Sequence, residues 1–178
     1  MLRHAAALPP MQRNFGEGRI SVQAIRGKTG LKDLFQHGSA KLRLPADHGA
    51  GALEAVMINT SGGLTGGDEL IWHAEAGEGA RLVMTSQACE KIYRKIEGVA
   101  RSDIALKVKD QASLDWLPQE TILYNRSALK RTIDADIAET ASLLLCEAIV
   151  FGRQAMGEFV NEANVHDRWR VRRGGQLL

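Results

Sequence analysis

Ile104, Leu106 and Val108 alternate with Asp103, Lys107 and Lys109. Neighbouring side chains of a strand face opposite sides of a sheet, so this period of two predicts a half-buried strand. The pattern recurs along the chain. Ile20, Val22 and Ala24 alternate with Arg19, Ser21 and Gln23, and Ile133, Ala135 and Ile137 with Thr132, Asp134 and Asp136. Leu114 and Trp116 flank Asp115 and are followed by Pro118, which withholds a ladder donor and predicts a corner before a second strand through Thr121–Tyr124. Glycines at 16, 18, 27, 30, 77, 79 and 98 break the strand signals. Breaks at intervals of about ten residues predict an all-β sandwich, barrel or solenoid.

Other segments are more uniformly apolar. The run Leu143 to Phe151, ended by Gly152, favours a strand through its Ile-Val-Phe close, and Leu53–Ile58 and Leu82–Thr85 read similarly. The best helix candidate is Ser86 to Ile96, where Ala88, Ile92, Tyr93 and Ile96 recur at helical spacing, with Ser86 placed to cap its start and Gly98 just past its end. Residues 1–178 contain no linker-like stretch, which predicts a single domain. Trp169 to Leu178 reads as a strand, a tight turn at Gly174-Gly175 and the opening of another strand. Ending on a half-hairpin leaves sheet edges unpaired, so the chain is expected to be a truncated form.

Charge narrows the function classes. With 23 basic and 21 acidic residues the net charge is +2, which gives no case for general nucleic-acid binding. Arg168, Arg170, Arg172 and Arg173 alternate in part with Trp169 and Val171 and predict a strand with one solvated face. Cys89 and Cys146 form neither a disulfide framework nor a zinc spacing, and fit a reducing compartment. The N-terminal stretch, with Arg3, His4, two prolines and Arg13, has no apolar run long enough for a signal peptide, and no run approaches a membrane span. The expectation is a soluble, cytoplasmic protein.

Asn59 to Leu70 holds four glycines, Gly62, Gly63, Gly66 and Gly67, followed directly by Asp68 and Glu69. A phosphate cradle needs Lys and Ser or Thr after its last glycine, where this loop has two carboxylates that repel phosphate. The G-x-G-x-x-G spacing fails as well, and Gly27-Lys28-Thr29 lacks its upstream glycine because Val22 stands there. Neither segment is a nucleotide site.

Catalytic and metal chemistry leave few marks. The five histidines, His4, His37, His48, His73 and His166, lie in no nucleophile motif. Cys89 has the character of a small buried residue. Asp68, Glu69, Glu90, Glu120, Glu147 and Glu158 lie beside apolar or glycine-rich segments, with no H-x-H or H-E-x-x-H. Glu147 stands out because it sits inside an apolar run, where a carboxylate must be paired, edge-facing or functional.

Five pieces in order carry a resemblance. They are Gly38 to Pro45, Asn59 to Leu70 with Gly66-Gly67-Asp68, Thr85 to Arg94, Trp116 to Ile122 with Leu117-Pro118-Gln119-Glu120-Thr121, and Phe151-Gly152-Arg153 with Gly157-Glu158. Together they cover nearly the whole chain, which resembles the urease accessory protein family UreD, also called UreH. The resemblance implies a mainly β fold, a helical stack of sheets that is solenoid- or sandwich-like, with one or two short α-helices. It implies a non-catalytic scaffold that joins UreF and the GTPase UreG on the urease apoprotein and supports GTP-dependent nickel insertion.

No tightly bound cofactor is expected, only transient Ni²⁺. Asp68, Glu69, Glu120, Glu147 and Glu158 are the candidate conduit or interface residues, because oxygen ligands hold Ni²⁺ weakly enough to release it. Members of this family run well beyond residue 178, so the resemblance also implies a missing C-terminal portion. A small β-rich hydrolase and an unrelated interaction module are the alternatives.

Overall fold

The computed structural model describes residues 12–46 and 51–178; Arg3, His4, the two N-terminal prolines and His48 lie outside them. The N-terminal part is an antiparallel hairpin, β1 (Phe15–Ile25) and β2 (Lys28–Gly38), followed by β3 (Ala40–Arg43). The chain then winds in coils. The first coil holds β4 (Leu53–Asn59) and β5 (Glu69–Ala76). The second holds β6 (Arg81–Ser86), β7 (Glu90–Ile92) and β8 (Ala100–Val108). The third holds β9 (Ser113–Leu117), β10 (Thr121–Leu123) and β11 (Ser127–Ile137). The fourth holds β12 (Ser142–Leu145), β13 (Ile149–Phe151) and β14 (Ala163–Arg173), after which β15 (Gln176–Leu177) folds back on β14.

Each strand of a coil pairs in parallel with its counterpart in the next, so three sheets rise together as a solenoid. Their orders are β15-β14-β11-β8-β5-β1-β2, β12-β9-β6-β4-β3 and β13-β10-β7. The glycine-rich loop supplies the missing fourth member of the short sheet, since Leu64 bridges Ile92 in parallel. At the N-terminal end β2 and β3 close the long sheet and the five-stranded sheet with antiparallel pairs.

Inward side chains stack in register from coil to coil. Leu53, Leu82, Leu114 and Leu143 form one ladder, and Trp72, Ile104, Ile133 and Trp169 another. The leucine ladder repeats roughly every thirty residues, a solenoid period in which each coil buries its apolar face only against its neighbours. The ladders are buried in the middle coils and open at the last. Trp72, Ile104 and Ile133 are buried, whereas Trp169 is 41% exposed; Leu64, Ile92 and Leu123 are buried, whereas Phe151 is 59% exposed.

The expected β stack is therefore present, and so are the Pro118 corner, the strand carrying Arg168 to Arg173 and the turn at Gly174-Gly175. Two expectations are corrected. Ser86–Ile96 is not a helix: it holds the end of β6 and the strand β7, because Ile92 is the rung between Leu64 and Leu123 of an inward ladder. Local apolar spacing gives way there to tertiary pairing. Leu143–Phe151 is not one strand but two, split at Cys146–Ala148 where Glu147 turns inward to an arginine. Among the described residues the helical content is a single 3-10 turn, Gln154–Met156, and none is long and apolar enough to cross a membrane.

Candidate functional site

All three sheets contribute to a cavity of about 160 Å³ inside the stack. Met57 and Trp116 wall it from the five-stranded sheet, and Trp72, Ile104 and Leu129 from the long sheet. Its charged groups are Glu90, Lys91, Arg131 and Glu147, with Asn59, Ser102 and Thr121 among the polar groups beside them. Gln87, Ala88 and Gln119 belong to the same wall and are exposed, so the cavity opens at the paired corners after β6 and β9. Those corners are the Thr85–Arg94 and Trp116–Ile122 segments.

The glycine-rich loop seals one side of this space. Its backbone runs against β7: the Leu64 N–H donates to Lys91 O at 2.7 Å, and the Tyr93 N–H to Leu64 O at 2.8 Å. Gly63 has φ 149°, and a Cβ there would come within 2.4 Å of the Tyr93 ring. Asp68 closes the loop from within. One carboxylate oxygen accepts from the Asn14 N–H at 2.8 Å and the other from the Thr65 N–H at 2.9 Å, with only 6% of the residue exposed. Asp68 is thus consumed by backbone donors, as a buried carboxylate in a tight crossing must be.

Beside the loop lies Glu90. The Asn59 amide donates toward both carboxylate oxygens of Glu90, at 3.1 and 3.2 Å, while the Asn59 carbonyl oxygen accepts from the Ser61 N–H at 3.1 Å. No cation pairs with Glu90 among the described residues. Burial therefore dominates, and pushes its carboxyl up to about 7 against the opposing pull of the Asn59 amide.

Deeper in the wall Arg131 meets two carboxylates. Its Nε and Nη2 donate to Asp167 at 3.0 and 2.5 Å, its Nη1 donates to Glu147, and the Trp116 Nε1–H donates to Glu147 at 2.8 Å. The Arg131 side chain is 4% exposed and that of Glu147 5%. Fork-to-carboxylate geometry suits arginine where desolvation is this complete. Asp167 is not part of the cavity lining, so Arg131 and Glu147 present one charge of each sign to it, and burial holds Glu147 above its ordinary range despite the arginine beside it. This pairing accounts for a carboxylate inside an apolar run.

Of the residues nominated from sequence, only Glu147 lines the cavity. Glu120 stands at the cavity corner, half-buried, and its carbonyl accepts from the Glu90 N–H at 3.0 Å. Glu69 lies on the outer face of β5, 3.9 Å from Arg101, and Glu158 on another surface, 2.7 Å from Arg153. Among the described residues no three His, Cys, Asp or Glu side chains come together to hold a metal ion. None of His37, His73 and His166 lines the cavity, whereas Cys89 does, half-buried. Sequence reasoning missed Asn59, Arg131 and Asp167. The signal for Arg131 was its place between Leu129 and Ile133, on the inward side of an alternating strand.

Comparison with known proteins bears on the same segments. Residues 15–178 match the family described as UreD urease accessory protein. The urease accessory protein UreD of Rhizobium leguminosarum bv. trifolii (strain WSM2304) is 51% identical over 174 residues, which cover 98% of this chain and 63% of that protein. The UreD of Chelativorans sp. (strain BNC1) is 50% identical over 97% of this chain and 62% of its own length. That of Brucella suis (strain ATCC 23445 / NCTC 10510) is 52% identical over 95% of this chain and 60% of its own length. The chain therefore spans less than two thirds of the length of these relatives.

Proposed function

The chain belongs to the UreD urease accessory protein family, and on that premise we propose that it is a non-catalytic scaffold of urease maturation. In this reading it acts in the cytoplasm with UreF and UreG on the urease apoprotein, and supports GTP-dependent delivery of Ni²⁺ into the urease active site. The nickel ion is cargo.

The observation that carries the reading is the pair of carboxylates, Glu90 and Glu147, in the cavity between the paired corners. A conduit needs oxygen donors that take up a divalent ion and let it go. Glu90 has the required character, being half-buried, held by a neutral amide and titrating near neutrality, so that a cation and a proton compete for it. Glu147 stands further in, with Arg131 as the resident cation that an arriving ion must displace or pass. Glu120 lies at the mouth, whereas Asp68, Glu69 and Glu158 serve at the loop and on the surface.

The test is urease nickel content in cells whose own UreD gene has been deleted, complemented with this chain, with a longer version, or with single variants. Substitution of Glu90 or Glu147 is expected to lower nickel per urease active site severalfold. Substitution of Glu69 is expected to leave it unchanged. Equal nickel content in every variant would remove the conduit and leave only a scaffold. UreF co-purifying with neither version would remove the scaffold as well.

A further inference from the structure

The outer face of the short sheet brings aromatic, arginine and exposed aliphatic side chains together. Lys91, Ile122 and Val150 stand in register across three coils. The next row holds Tyr93 edge-on to Tyr124, ring centroids 5.0 Å apart, with the Arg153 guanidinium 4.3 Å above the Tyr124 ring. At the corner beyond, the Lys95 N–H donates to Arg126 O and the Arg126 N–H to Glu162 O, so the same three coils continue the surface. Ile96 is 82% exposed, and Met156 and Phe159, in the segment just after Arg153, are exposed as well.

Charge on this face is one-sided. Its acids are already engaged by arginines: Glu97 with Arg13 at 2.9 Å, Glu158 with Arg153 at 2.7 Å and Glu162 with Arg126 at 3.8 Å. Lys91, Arg94 and Lys95 have no carboxylate within ion-pair distance among the described residues, although the chain as a whole carries only +2. Aromatic and arginine groups held rigid beside large exposed aliphatics are the composition of an interface centre, and an unanswered basic rim sets the sign of the partner.

We propose that this face, centred on Tyr93, Tyr124 and Arg153 and rimmed by Lys91, Arg94 and Lys95, docks an acidic surface of a protein partner in the urease-maturation assembly. The inference rests on the maturation reading above and adds the surface and the chemistry of its partner. A protein fits better than a nucleic acid. The Tyr93 hydroxyl is tied to Gly62 O at 3.0 Å and Arg153 covers the Tyr124 ring, so the stacking face a base needs is occupied. Exposed Ile96, Met156 and Phe159 call for apolar cover, which a phosphate backbone does not supply.

The test is zero-length carbodiimide cross-linking of this chain co-purified with co-expressed apo-urease, UreF and UreG, because that chemistry joins lysine amines only to carboxylates. Cross-links from Lys91 and Lys95 to Asp or Glu of a partner are expected. The triple variant K91E/R94E/K95E is expected to lower recruitment at least tenfold with its melting temperature kept. K107E, on the long sheet, is expected to recruit normally. K91R/K95R is expected to recruit normally while losing the cross-links.

Full recruitment by the triple variant, or an absence of cross-links from both lysines, overturns the proposed surface and leaves the maturation reading standing. Failure of the unaltered chain to recruit any urease component overturns both. Binding of a fluorescent single-stranded oligonucleotide that the triple variant loses, with no protein cross-link, overturns the proposal in favour of nucleic acid.

Discussion

The Trp116 indole donates to the Glu147 carboxylate at 2.8 Å, joining side chains 31 residues apart, one coil to the next. Glu147 accepts on its other oxygen from Arg131, which reaches on to Asp167. One buried cation thus ties the third coil to both ends of the fourth.

Removing the cation is expected to cost far more than removing the indole donor. Trp116→Phe keeps most of the ring and loses one hydrogen bond to a charged group, about 2 kcal/mol. Arg131→Met leaves Glu147 and Asp167 facing each other without their cation, about 3 to 5 kcal/mol at neutral pH. Urea denaturation checks the order. The Arg131→Met deficit is expected to shrink as pH falls, because protonation relieves the two carboxylates, and a deficit independent of pH would contradict the pairing.

Glu90 predicts a pH dependence of opposite sign to that of a salt-bridged carboxylate. Its folded-state value of about 7 lies above the ordinary 4.5, so the native state holds the proton more tightly than the unfolded chain. Its contribution to stability is present at low pH, is lost as pH rises from 4.5 toward 7, and stays lost above that. Glu90→Gln keeps an oxygen for the Asn59 amide and removes the ionisation. The variant is therefore expected to gain on the parent through that window, reaching of the order of 3 kcal/mol above pH 7. Thermal melts at pH 5 and pH 8 read the difference.

How much of this was legible in the sequence depends on the range of the interactions. Strands β8 and β11 are written in their own alternation, and Pro118 and Gly174-Gly175 mark a corner and a turn, because each is decided within a few residues. Ser86–Ile96 misleads because Ala88, Ile92 and Ile96 imitate a helical stripe, while the partners that make Ile92 a strand residue, Leu64 and Leu123, lie about thirty residues away on either side. The repeat through Leu53, Leu82, Leu114 and Leu143 is hidden for a related reason: neighbouring coils share an inward position and little else. The cavity is harder still. Glu147 announces itself by its apolar neighbours and Arg131 by its place on the inward side of an alternating strand, but that the two meet, with Asp167, shows only when the coils stack.

The Trp72–Ile104–Ile133–Trp169 ladder predicts a gradient along the stack. Ile133 is fully buried between two rungs, so Ile133→Ala is expected to cost about 3 to 4 kcal/mol through lost transfer and a cavity. Trp169, with 41% of its surface exposed, is expected to cost less than half as much when replaced by alanine, despite its larger ring. Chemical denaturation of the two variants checks the order, and a larger loss at Trp169 would mean that its ring is covered in solution.

The glycine-rich loop predicts a contrast between two glycines four positions apart. Gly66 packs against the next coil so closely that a Cβ would lie 1.9 Å from the Glu97 carbonyl oxygen. Gly66→Ala must therefore push the loop off β7 and loosen the bridge between Leu64 and Ile92, at an expected cost of about 2 to 3 kcal/mol. Gly62 has φ 75° with open space around it, so Gly62→Ala meets only the left-handed backbone penalty, about 1 kcal/mol. If the two alanine variants melt at the same temperature, the loop is not held by that close approach. If Gly66→Ala alone falls and also shifts the Glu90 titration, the loop sets the burial of the cavity carboxylate as well as the path of the chain.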